Sequence, residues 1–418
     1  MSNSQFCKRC LYSNNHPLNL TFDDQGLCSG CQVHDEKNTL DWSLRWNKLE
    51  SLVSEYRTND GNYDCIVPVT AGQDSYYIMH IVKNKLGMKP LMVTYNKYFN
   101  TPVGIHNLAN LRMKFNSDLL IKNVNPISVK KIIKKTLLDF GNIYWANIAG
   151  QSVFPVEIAV KYKIPLIIWG AHQGVEQVGM FSHENEVEMT RRYRKTHDLF
   201  GYEADDLLTT FDGLNEGDIW QYRYPDNQDI RKVGVRGIYL SNYVRWDPLS
   251  QHMEMVRKYN YKTANLNRTF DIYDYIDCYN YADVHDLLKL FKHGYSKVTD
   301  HVCREIRHNR ITRENGKFLI KKYELNPISY QKQFLDYIGM TERGLNFILD
   351  YHRNTDYWSN LEHNGWEFSG LSSKWGTNET KQLVSSAPDQ KFGKNFQASH
   401  AVNLGQNDSY IIIGKGFP

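Results

Sequence analysis

Residues 64–75 have the sequence Asp64-Cys65-Ile66-Val67-Pro68-Val69-Thr70-Ala71-Gly72-Gln73-Asp74-Ser75. A short apolar strand, 65–69, leads into a turn of small residues. An Asp-Ser pair then opens a helix whose apolar side chains recur every three or four positions. The small residues let backbone N–H groups approach a ligand, and a helix N-terminus adds donors and partial positive charge. The stretch therefore predicts a phosphate site; an ordinary strand–turn–helix junction with Asp74 as a cap is the alternative.

The polar side chains of this turn suit a nucleotide and its metal ion. Asp74 would hold the Mg²⁺ that accompanies the nucleotide, and the hydroxyls of Thr70 and Ser75 would bond phosphate oxygens. The sequence contains no Walker-type G-x-x-x-x-G-K-S/T motif. We therefore expect a phosphate loop that differs from that of the common NTPases.

Length and composition indicate an ordinary globular protein. The 418 residues suffice for two or three domains, and the chain is 41% hydrophobic and 23% charged. The net charge of +4 permits an anionic small substrate but does not by itself argue for a nucleic-acid partner. The sequence shows no charged-then-apolar leader and no apolar run long enough for a membrane span. We therefore expect a cytoplasmic protein with no membrane partner.

Four of the seven cysteines form two C-x-x-C knuckles, Cys7-Lys8-Arg9-Cys10 and Cys28-Ser29-Gly30-Cys31. Each knuckle lets two thiolates reach one ion, and four thiolates complete the closed tetrahedral shell of a structural Zn²⁺. A segment this short cannot bury a core by itself, so the metal would supply its folding free energy. Reduced cysteines in a loop are the alternative. The other three, Cys65, Cys278 and Cys303, are scattered and indicate ordinary thiols.

After residue 64, strand-like and helix-like segments alternate, which predicts an α/β fold with a doubly wound parallel sheet. The predicted strands are 65–69, 89–95, 117–121 and 165–170, and the predicted helices are 102–115, 129–140 and 149–162. An earlier helix is predicted over 35–60. Ligands of such sheets bind outside the carboxyl ends of the strands. The 70–75 turn, Thr94-Tyr95 and Trp169-Gly170 all lie at such ends, so we expect them to converge.

The later part of the chain differs in character. Residues 171–215 are polar and predict either a mobile cover or, in their second half, a solvated charged helix. From residue 216 the composition becomes aromatic and helical, with a strand-like segment at 234–240. The tail after Phe368 is rich in Ser, Asn, Gly and Lys, which predicts a poorly ordered or surface-draped segment.

One predicted helix, within 296–307, gathers many ionisable side chains. Asp300, Arg304 and Arg307 share one face by their spacing, and His301 shares another with Glu305. Taken alone, this pattern favours a ladder of salt bridges within the helix.

Residues Thr70-Ala71-Gly72-Gln73-Asp74-Ser75 resemble the S-G-G-x-D-S loop of the PP-loop ATP pyrophosphatases, with Thr and Ala in place of the first Ser and Gly. Two further sets of motifs narrow the match. The first set is Cys7-Lys8-Arg9-Cys10, Thr21-Phe22-Asp23, Gly26, Cys28-Ser29-Gly30-Cys31 and His34. The second set is Trp169-Gly170, Thr299-Asp300-His301, Arg304-Glu305-Ile306-Arg307, Arg310-Ile311-Thr312-Arg313-Glu314 and Tyr351-His352-Arg353-Asn354. Together they resemble the N-acetyl sugar amidotransferase family of surface-polysaccharide (LPS) biosynthesis. One departure is Ala171-His172-Gln173, where that family would carry an acidic or amide residue.

The resemblance implies an ATP-dependent amidotransferase that uses Mg²⁺ and carries Zn²⁺. Such an enzyme adenylates the acetamido carbonyl of a nucleotide-linked, diacetamido uronic-type sugar, and ammonia then displaces AMP to leave an acetamidino group. Asp74 and Ser75 are the implied catalytic residues. The implied ATP-binding residues are Thr70, Ala71, Gly72, Gln73, Asp74, Ser75, Thr94, Tyr95, Trp169 and Gly170. The implied nucleotide-sugar ligands, whose Arg forks suit phosphate and carboxylate, are Lys297, Asp300, His301, Arg304 and Arg307.

The resemblance also implies a domain organisation and a separate source of ammonia. We expect a zinc knuckle over 1–45, a PP-loop ATP pyrophosphatase domain over 46–215, and a mainly helical substrate or partner region over 216–418. None of the scattered cysteines has a recognisable glutaminase context, so ammonia would come from a separate glutaminase partner, as in the two-part imidazole-glycerol-phosphate synthase.

Two alternatives remain open. A tRNA thiolase also joins zinc knuckles to a PP-loop domain, but it typically needs cysteines in the catalytic domain, where only Cys65 lies. A non-catalytic zinc-bearing scaffold could have kept the fold without the activity.

Overall fold

The computed structural model describes residues 5–14, 16–18, 20–361, 365–374 and 401–403. The chain divides into two compact units. The sheet unit contains residues 40–172 and 186–262, and the knuckle unit contains residues 1–39, 173–185 and the described residues from 263 onward. The tail predicted after Phe368 lies mostly outside the described residues.

The helices contain most of the regular structure of both units. In chain order they are α1 (Ser29–Glu36), α2 (Trp42–Ser54), α3 (Gln73–Met79), α4 (Pro102–Phe115), α5 (Pro126–Phe140), α6 (Trp145–Tyr162), α7 (Gln173–Glu176), α8 (Arg191–Tyr193), α9 (Ala204–Thr210), α10 (Glu216–Ile219), α11 (Asn227–Val233), α12 (Pro248–Tyr259), α13 (Asp286–His293), α14 (Lys297–Arg307), α15 (Arg313–Tyr323), α16 (Gln331–Ile338) and α17 (Glu342–Tyr351). A π-helical turn over His80–Lys85 continues α3. Among the described residues, none of the helices combines the length and apolar character that crossing a membrane requires.

The sheet unit is built on five parallel strands. They are β1 (Cys65–Pro68), β2 (Pro90–Tyr95), β3 (Leu119–Lys122), β4 (Leu166–Trp169) and β5 (Arg236–Tyr239). Their order across the sheet is β3-β2-β1-β4-β5, and Ile66 of β1 lies opposite Leu91 of β2 and Ile167 of β4. The predicted α/β class with a doubly wound parallel sheet is therefore confirmed.

The central strands are apolar without alternation. Cys65, Ile66 and Val67 are fully buried, and so are the residues of β4 from Leu166 to Ile168. Strands that helices cover on both faces become continuous apolar runs, because neither face meets water. This explains why their positions could be predicted to within one or two residues.

The region before β1 contains two helices where the sequence predicts one. The carboxylate of Asp41 accepts hydrogen bonds from the backbone N–H groups of Ser43 and Leu44, both at 3.0 Å. This side chain caps the start of α2 and separates it from α1. The prediction of one continuous helix over 35–60 is therefore wrong.

The fifth strand comes from the segment at 234–240, which the sequence places in the C-terminal region. It pairs in parallel with β4, with Ile168 opposite Ile238. The sheet unit therefore runs past the predicted boundary after residue 215 and ends near residue 262. Parallel neighbours need a long crossover, so no local pattern joins β5 to β4 in the sequence.

The knuckle unit joins the N-terminal cysteine segment to the helices after residue 263. Leu11 and Tyr12 pack in one core with Val302 and Ile306 of α14. Val178, from the inserted segment 173–185, belongs to the same core. The short strands of this unit are β6 (Thr263–Asn265), β7 (Trp358–Leu361), β8 (Gly365–Phe368) and β9 (Ala401–Asn403). The predicted mainly helical C-terminal region is confirmed by α13 to α17.

Gly150 offers a test of the packing between α6 and the sheet. A Cβ at this position would lie 2.2 Å from a ring carbon of Tyr95, whose hydroxyl is bonded to that of Tyr222 at 2.7 Å. Gly to Ala inside a helix ordinarily stabilises by about 1 kcal/mol. Here the ring cannot move without breaking its bond, so we expect Gly150→Ala to destabilise by about 1–3 kcal/mol in urea denaturation.

The matched control is Gln151→Ala, at a half-buried position one residue further along α6. It should change the free energy of unfolding by less than about 0.5 kcal/mol. Equal or increased stability of Gly150→Ala would contradict the described contact with Tyr95.

Candidate functional site

The 70–75 turn is shaped by its own two hydroxyl groups. The Ser75 hydroxyl accepts a hydrogen bond from the backbone N–H of Thr70 at 2.8 Å, and the Thr70 hydroxyl accepts one from Gly72 at 3.0 Å. Each hydroxyl therefore serves the turn as an acceptor, and its own hydrogen can still point to a phosphate oxygen. The turn starts from Val69, whose N–H is bonded to the carbonyl of Val93 on β2 at 2.9 Å.

The helix behind the turn offers donors to an anion. Gly72 is the N-cap of α3 and has no side chain to bond the first-turn N–H groups. The helical segment runs on without a break from Gln73 to Lys85. Its N-terminal N–H groups and partial positive charge fit a phosphate of the kind the sequence predicts.

Gln73 and Asp74 provide oxygen atoms at this helix start. Gln73 is buried, and its amide nitrogen donates to Asp74 Oδ1. The Gln73 Oε1 atom is buried and has no hydrogen-bond partner among the described residues. An unsatisfied amide oxygen next to a carboxylate fits a hydrated Mg²⁺, because this ion takes oxygen ligands and keeps several of its waters.

The turn lies at the point where the strand order of the sheet reverses. β2 and β3 lie on one side of β1, and β4 and β5 lie on the other. Crevices outside the carboxyl ends of strands at such a switch point are the usual ligand sites of open α/β sheets. The end of β1, with the 70–75 turn, and the end of β4, with Trp169 and Gly170, border this point.

The side chain of Tyr95 is packed against α6. Thr94 and Tyr95 are buried at the end of β2, and the Tyr95 ring lies against Gly150. The Tyr95 ring is therefore engaged in packing within the sheet unit. The sequence does not reveal this, because the partner glycine is 55 positions away and the contact is purely tertiary.

A cluster at the ends of β4 and β5 joins the predicted site residue Trp169 to side chains outside the predicted site. The His172 ring centroid is 4.5 Å from that of Tyr193 and 4.8 Å from that of Tyr239. The Arg194 guanidinium lies 4.9 Å from the Trp169 ring and donates to Asp198 at 2.5 Å. Tyr193 and Arg194 lie in the second half of 171–215, where a solvated charged helix is one of the two predictions, so the sequence alone does not reveal this cluster.

The four knuckle cysteines converge as predicted. Their Sγ atoms all lie within 4.8 Å of one another, and none of the four side chains is exposed. Cys7 and Cys31 are 3.8 Å apart, and Cys10 and Cys28 are 3.6 Å apart. Four thiolates placed tetrahedrally at about 2.3 Å from one Zn²⁺ would lie about 3.8 Å apart. The cluster is therefore compatible with zinc.

The predicted sugar-nucleotide ligands on α14 separate into two groups. Lys297, His301 and Arg304 face an acidic loop. His301 Nε2 is 2.9 Å from Asp274, and Arg304 donates to Asp271 at 2.5 Å. Lys297 Nζ lies 3.8 Å from Asp274. The two aspartates of this loop were not among the predicted site residues.

Asp300 and Arg307 instead face the cysteine knuckle. Asp300 accepts a hydrogen bond from the Tyr12 hydroxyl at 2.8 Å and also pairs with Lys289. Arg307 donates to the carbonyl of Gln177 at 2.6 Å, and its other terminal nitrogen lies 3.6 Å from Cys28 Sγ. Helical spacing places the five residues on one element but cannot show which neighbour covers each face.

Carboxylates compensate the charges of the first group. Burial lowers the pKa of Lys297, but Asp274 and Asp300 more than offset this, so its pKa lies above the ordinary value. Burial alone would raise the pKa of Asp300, yet Lys289 and Lys297 hold it below the ordinary range. These groups are ionised and paired around neutral pH. An anionic ligand would have to replace existing partners here.

One comparison with known proteins matches the C-terminal part of the chain to a protein family. Residues 241–371 match the family described as "LPS biosynthesis protein WbpG-like, C-terminal domain". The matched segment includes α12 to α17, and thus the residues from Lys297 to Arg307. This match confirms the predicted resemblance to a protein family of LPS biosynthesis for residues 241–371.

Other similarities are more distant. The protein MJ1599 of Methanocaldococcus jannaschii, itself uncharacterized, is 21% identical over 117 residues, which are 28% of this chain and 42% of that relative. The chain thus matches less than half the length of this relative. An NH3-dependent NAD synthetase from Campylobacter jejuni is 13% identical, with a TM-score of 0.28 over 46% of this chain and 95% of its own. An NMN synthetase from Francisella tularensis is 12% identical, with a TM-score of 0.28 over 52% of this chain and 96% of its own. Both structural likenesses are too remote to bear on function.

His172 yields a prediction about pH. Burial lowers the pKa of His172 to about 4, and the charge of Arg194 acts in the same direction. The unfolded chain binds a proton at this residue near pH 6.5, and the folded chain does not. The stability that this difference contributes is therefore complete above pH 6.5 and is lost as the pH falls towards 4.

Between pH 7.5 and 5.0 this loss should amount to about 2 kcal/mol from His172 alone. His172→Gln should therefore flatten the pH dependence of the urea unfolding free energy by about that amount. The control is the exposed Lys161→Gln, which removes a side chain that keeps its charge over this range. Identical slopes for His172→Gln and wild type would show that folding does not lower the pKa of His172.

Proposed function

We propose that this chain, whose residues 241–371 form a WbpG-like C-terminal domain, is an ATP-dependent amidotransferase of LPS biosynthesis. The observation that carries the proposal is the 70–75 turn at the switch point of a parallel sheet, on the same chain as that domain. The substrate is a nucleotide-linked sugar with an acetamido group. The product carries an acetamidino group at the same position.

The chemistry follows from the weakness of an amide as an electrophile. Ammonia does not expel oxide from an amide carbon, so the oxygen must first become a better leaving group. The carbonyl oxygen attacks the α-phosphorus of ATP, the bond from α-phosphorus to the bridging oxygen breaks, and pyrophosphate departs. Ammonia then adds to the imidate carbon, loses protons, and AMP leaves with the former carbonyl oxygen.

The residues of the 70–75 turn would carry the phosphate part of this reaction. Thr70 and Ser75 offer hydroxyl donors, and Gly72 lets the helix N–H groups approach the departing pyrophosphate. Asp74, with the unsatisfied Gln73 oxygen, would hold Mg²⁺, which when bound neutralises phosphate charge. Adenine would lie near the backbone of Thr94-Tyr95.

The acceptor would be recognised by the WbpG-like domain. Lys297, His301 and Arg304 are the predicted ligands that keep this role in the proposal. The partly exposed rings of Tyr275 and Tyr281 stack with centroids 3.6 Å apart, and Lys297 lies 5.1 and 5.4 Å from them. Because carboxylates already pair Lys297 and Arg304, the cluster suits the hydroxyl and amide groups of a sugar better than a bare phosphate.

Ammonia would come from a separate glutaminase. All seven cysteines are buried, and burial raises the pKa of the Cys65 thiol far above neutrality. A glutaminase nucleophile must lie within reach of its substrate, and burial keeps these thiols from such contact. The proposal therefore includes a partner that releases ammonia, and action in the cytoplasm, where ATP is available.

One assay tests the reaction. The purified chain would receive ATP, Mg²⁺, ammonium and a panel of diacetamido nucleotide sugars, and products would be read by mass spectrometry. We expect AMP, pyrophosphate and a sugar whose mass fits replacement of one oxygen by NH. Glutamine alone should not replace ammonium. Pyrophosphate release that depends on tRNA, or a sulfur-bearing product, would favour a thiolase; no ATP binding would favour a scaffold.

Asp74→Asn tests the site within that reaction. Loss of the carboxylate removes the metal ligand while the turn keeps its shape, so we expect kcat to fall about 100-fold or more. The matched control is Asp118→Asn, at an aspartate that accepts a hydrogen bond from the Tyr63 hydroxyl at 2.7 Å near the start of β3. Activity of Asp74→Asn close to that of the control would remove Asp74 from the proposed site.

A further inference from the structure

Arg307 contacts the cysteine cluster directly. The residue is buried, and one terminal nitrogen lies 3.6 Å from Cys28 Sγ. Its guanidinium also lies 5.3 Å from the ring centroid of Tyr12, on the first knuckle loop. A guanidinium in this position is a hydrogen-bond donor to a thiolate sulfur.

The negative charge of the cluster makes a cation at this position favourable. Four thiolates around one Zn²⁺ carry a net charge of about −2, and here all four side chains are buried. A buried net charge is costly unless a counter-charge lies close to it. Arg307 brings a cation that cannot lose its proton to within contact of one sulfur.

The same guanidinium holds the inserted segment. Arg307 donates to the carbonyl of Gln177 at 2.6 Å, and the Gln177 amide donates to the Tyr12 hydroxyl at 3.2 Å. The Ser29 hydroxyl, beside the ligand Cys28, donates to the carbonyl of Val178 at 2.7 Å. The second knuckle and residues 176–179 are thus joined by side-chain bonds.

Two glycines show how closely these pieces approach. A Cβ on Gly30 would lie 2.3 Å from Arg307 Nη2 and 2.8 Å from the carbonyl oxygen of Gln177. A Cβ on Gly179 would lie 2.3 Å from the carbonyl oxygen of Ser29. Gly179 also has a φ of +63°, which favours glycine. Neither position leaves room for a side chain, so the contact depends on the exact placement of the second knuckle.

We propose that Arg307 is a positioning residue that couples the zinc centre to residues 176–179, and not a ligand of the substrate. It offsets part of the tetrathiolate charge and at the same time fixes the backbone of the inserted segment. Loss of zinc would therefore loosen residues 176–179, which follow His172 closely along the chain. This inference does not depend on the proposed reaction.

The test compares four variants of the full chain with wild type. Arg307→Gln removes the charge, and Arg307→Lys keeps the charge but lacks the fork that reaches both partners. Gly179→Ala displaces the segment without touching Arg307. Arg313→Gln is the matched control, because Arg313 also contacts the knuckle but donates to the carbonyl of Cys10, at 2.7 Å. The readouts are zinc transfer to a chelator, the absorption of the cobalt-substituted protein, and hydrogen exchange of residues 176–179.

We expect Arg307→Gln to lose zinc about 10–100 times faster than wild type and to alter the sulfur-to-cobalt absorption. Hydrogen exchange at 176–179 should rise in this variant and, to the same level, in wild type stripped of zinc. Arg307→Lys should recover the zinc kinetics but not the exchange protection. Gly179→Ala should raise exchange at 176–179, and Arg313→Gln should behave as wild type.

Several outcomes would overturn the proposal. These are a wild-type chain that binds neither zinc nor cobalt, equal zinc loss from Arg307→Gln and Arg313→Gln, and unchanged exchange at 176–179 after zinc removal. If Arg307→Gln fails to fold, Arg307→Lys and the zinc-stripped wild type still test the proposal through hydrogen exchange at 176–179.

Discussion

The parallel pairing of β1 with β2 on one side and β4 on the other is the constraint on which the sheet unit depends. It places Ile66 between Leu91 and Ile167, and it sends the chain out of β1 where the strand order reverses. If the phosphate-binding turn followed an edge strand, it would have a neighbouring strand end on one side only. At this position, backbone donors of the 70–75 turn and the ends of β2 and β4 border the same region, where open α/β sheets usually bind their ligands.

The knuckle unit depends on a different constraint, the convergence of four buried thiols on one point. The cysteines belong to a short segment whose apolar residues pack on α14, and Val178 of the inserted segment completes that core. Arg307 then lies within contact of Cys28, and Asp300 bonds Tyr12. One face of α14 contacts the cysteine cluster, while Lys297, His301 and Arg304 meet the acidic loop at Asp271 and Asp274.

How far each element could be predicted depended on the range of the interaction behind it. The strands β1, β2 and β4 and the turn between β1 and α3 were predicted closely, because apolar runs and small-residue turns are local signals. The start of the predicted helix 35–60 was wrong because one side chain, Asp41, caps a new helix that begins at Trp42. β5 was recognised as a strand but assigned to the wrong region, since its pairing with β4 spans a long crossover.

The sequence by itself determined the chemistry that each segment can offer. Small residues and hydroxyls at 70–75, four thiols in two knuckles, and ionisable groups on one helix are properties of residue type and spacing. Only the tertiary structure decided how they are used. It buried the Tyr95 ring against Gly150, paired Lys297 and Arg304 with carboxylates, and turned Arg307 towards the cysteines. The physical reason is that a side chain's role depends on what covers it, and the covering residues lie far away in the chain.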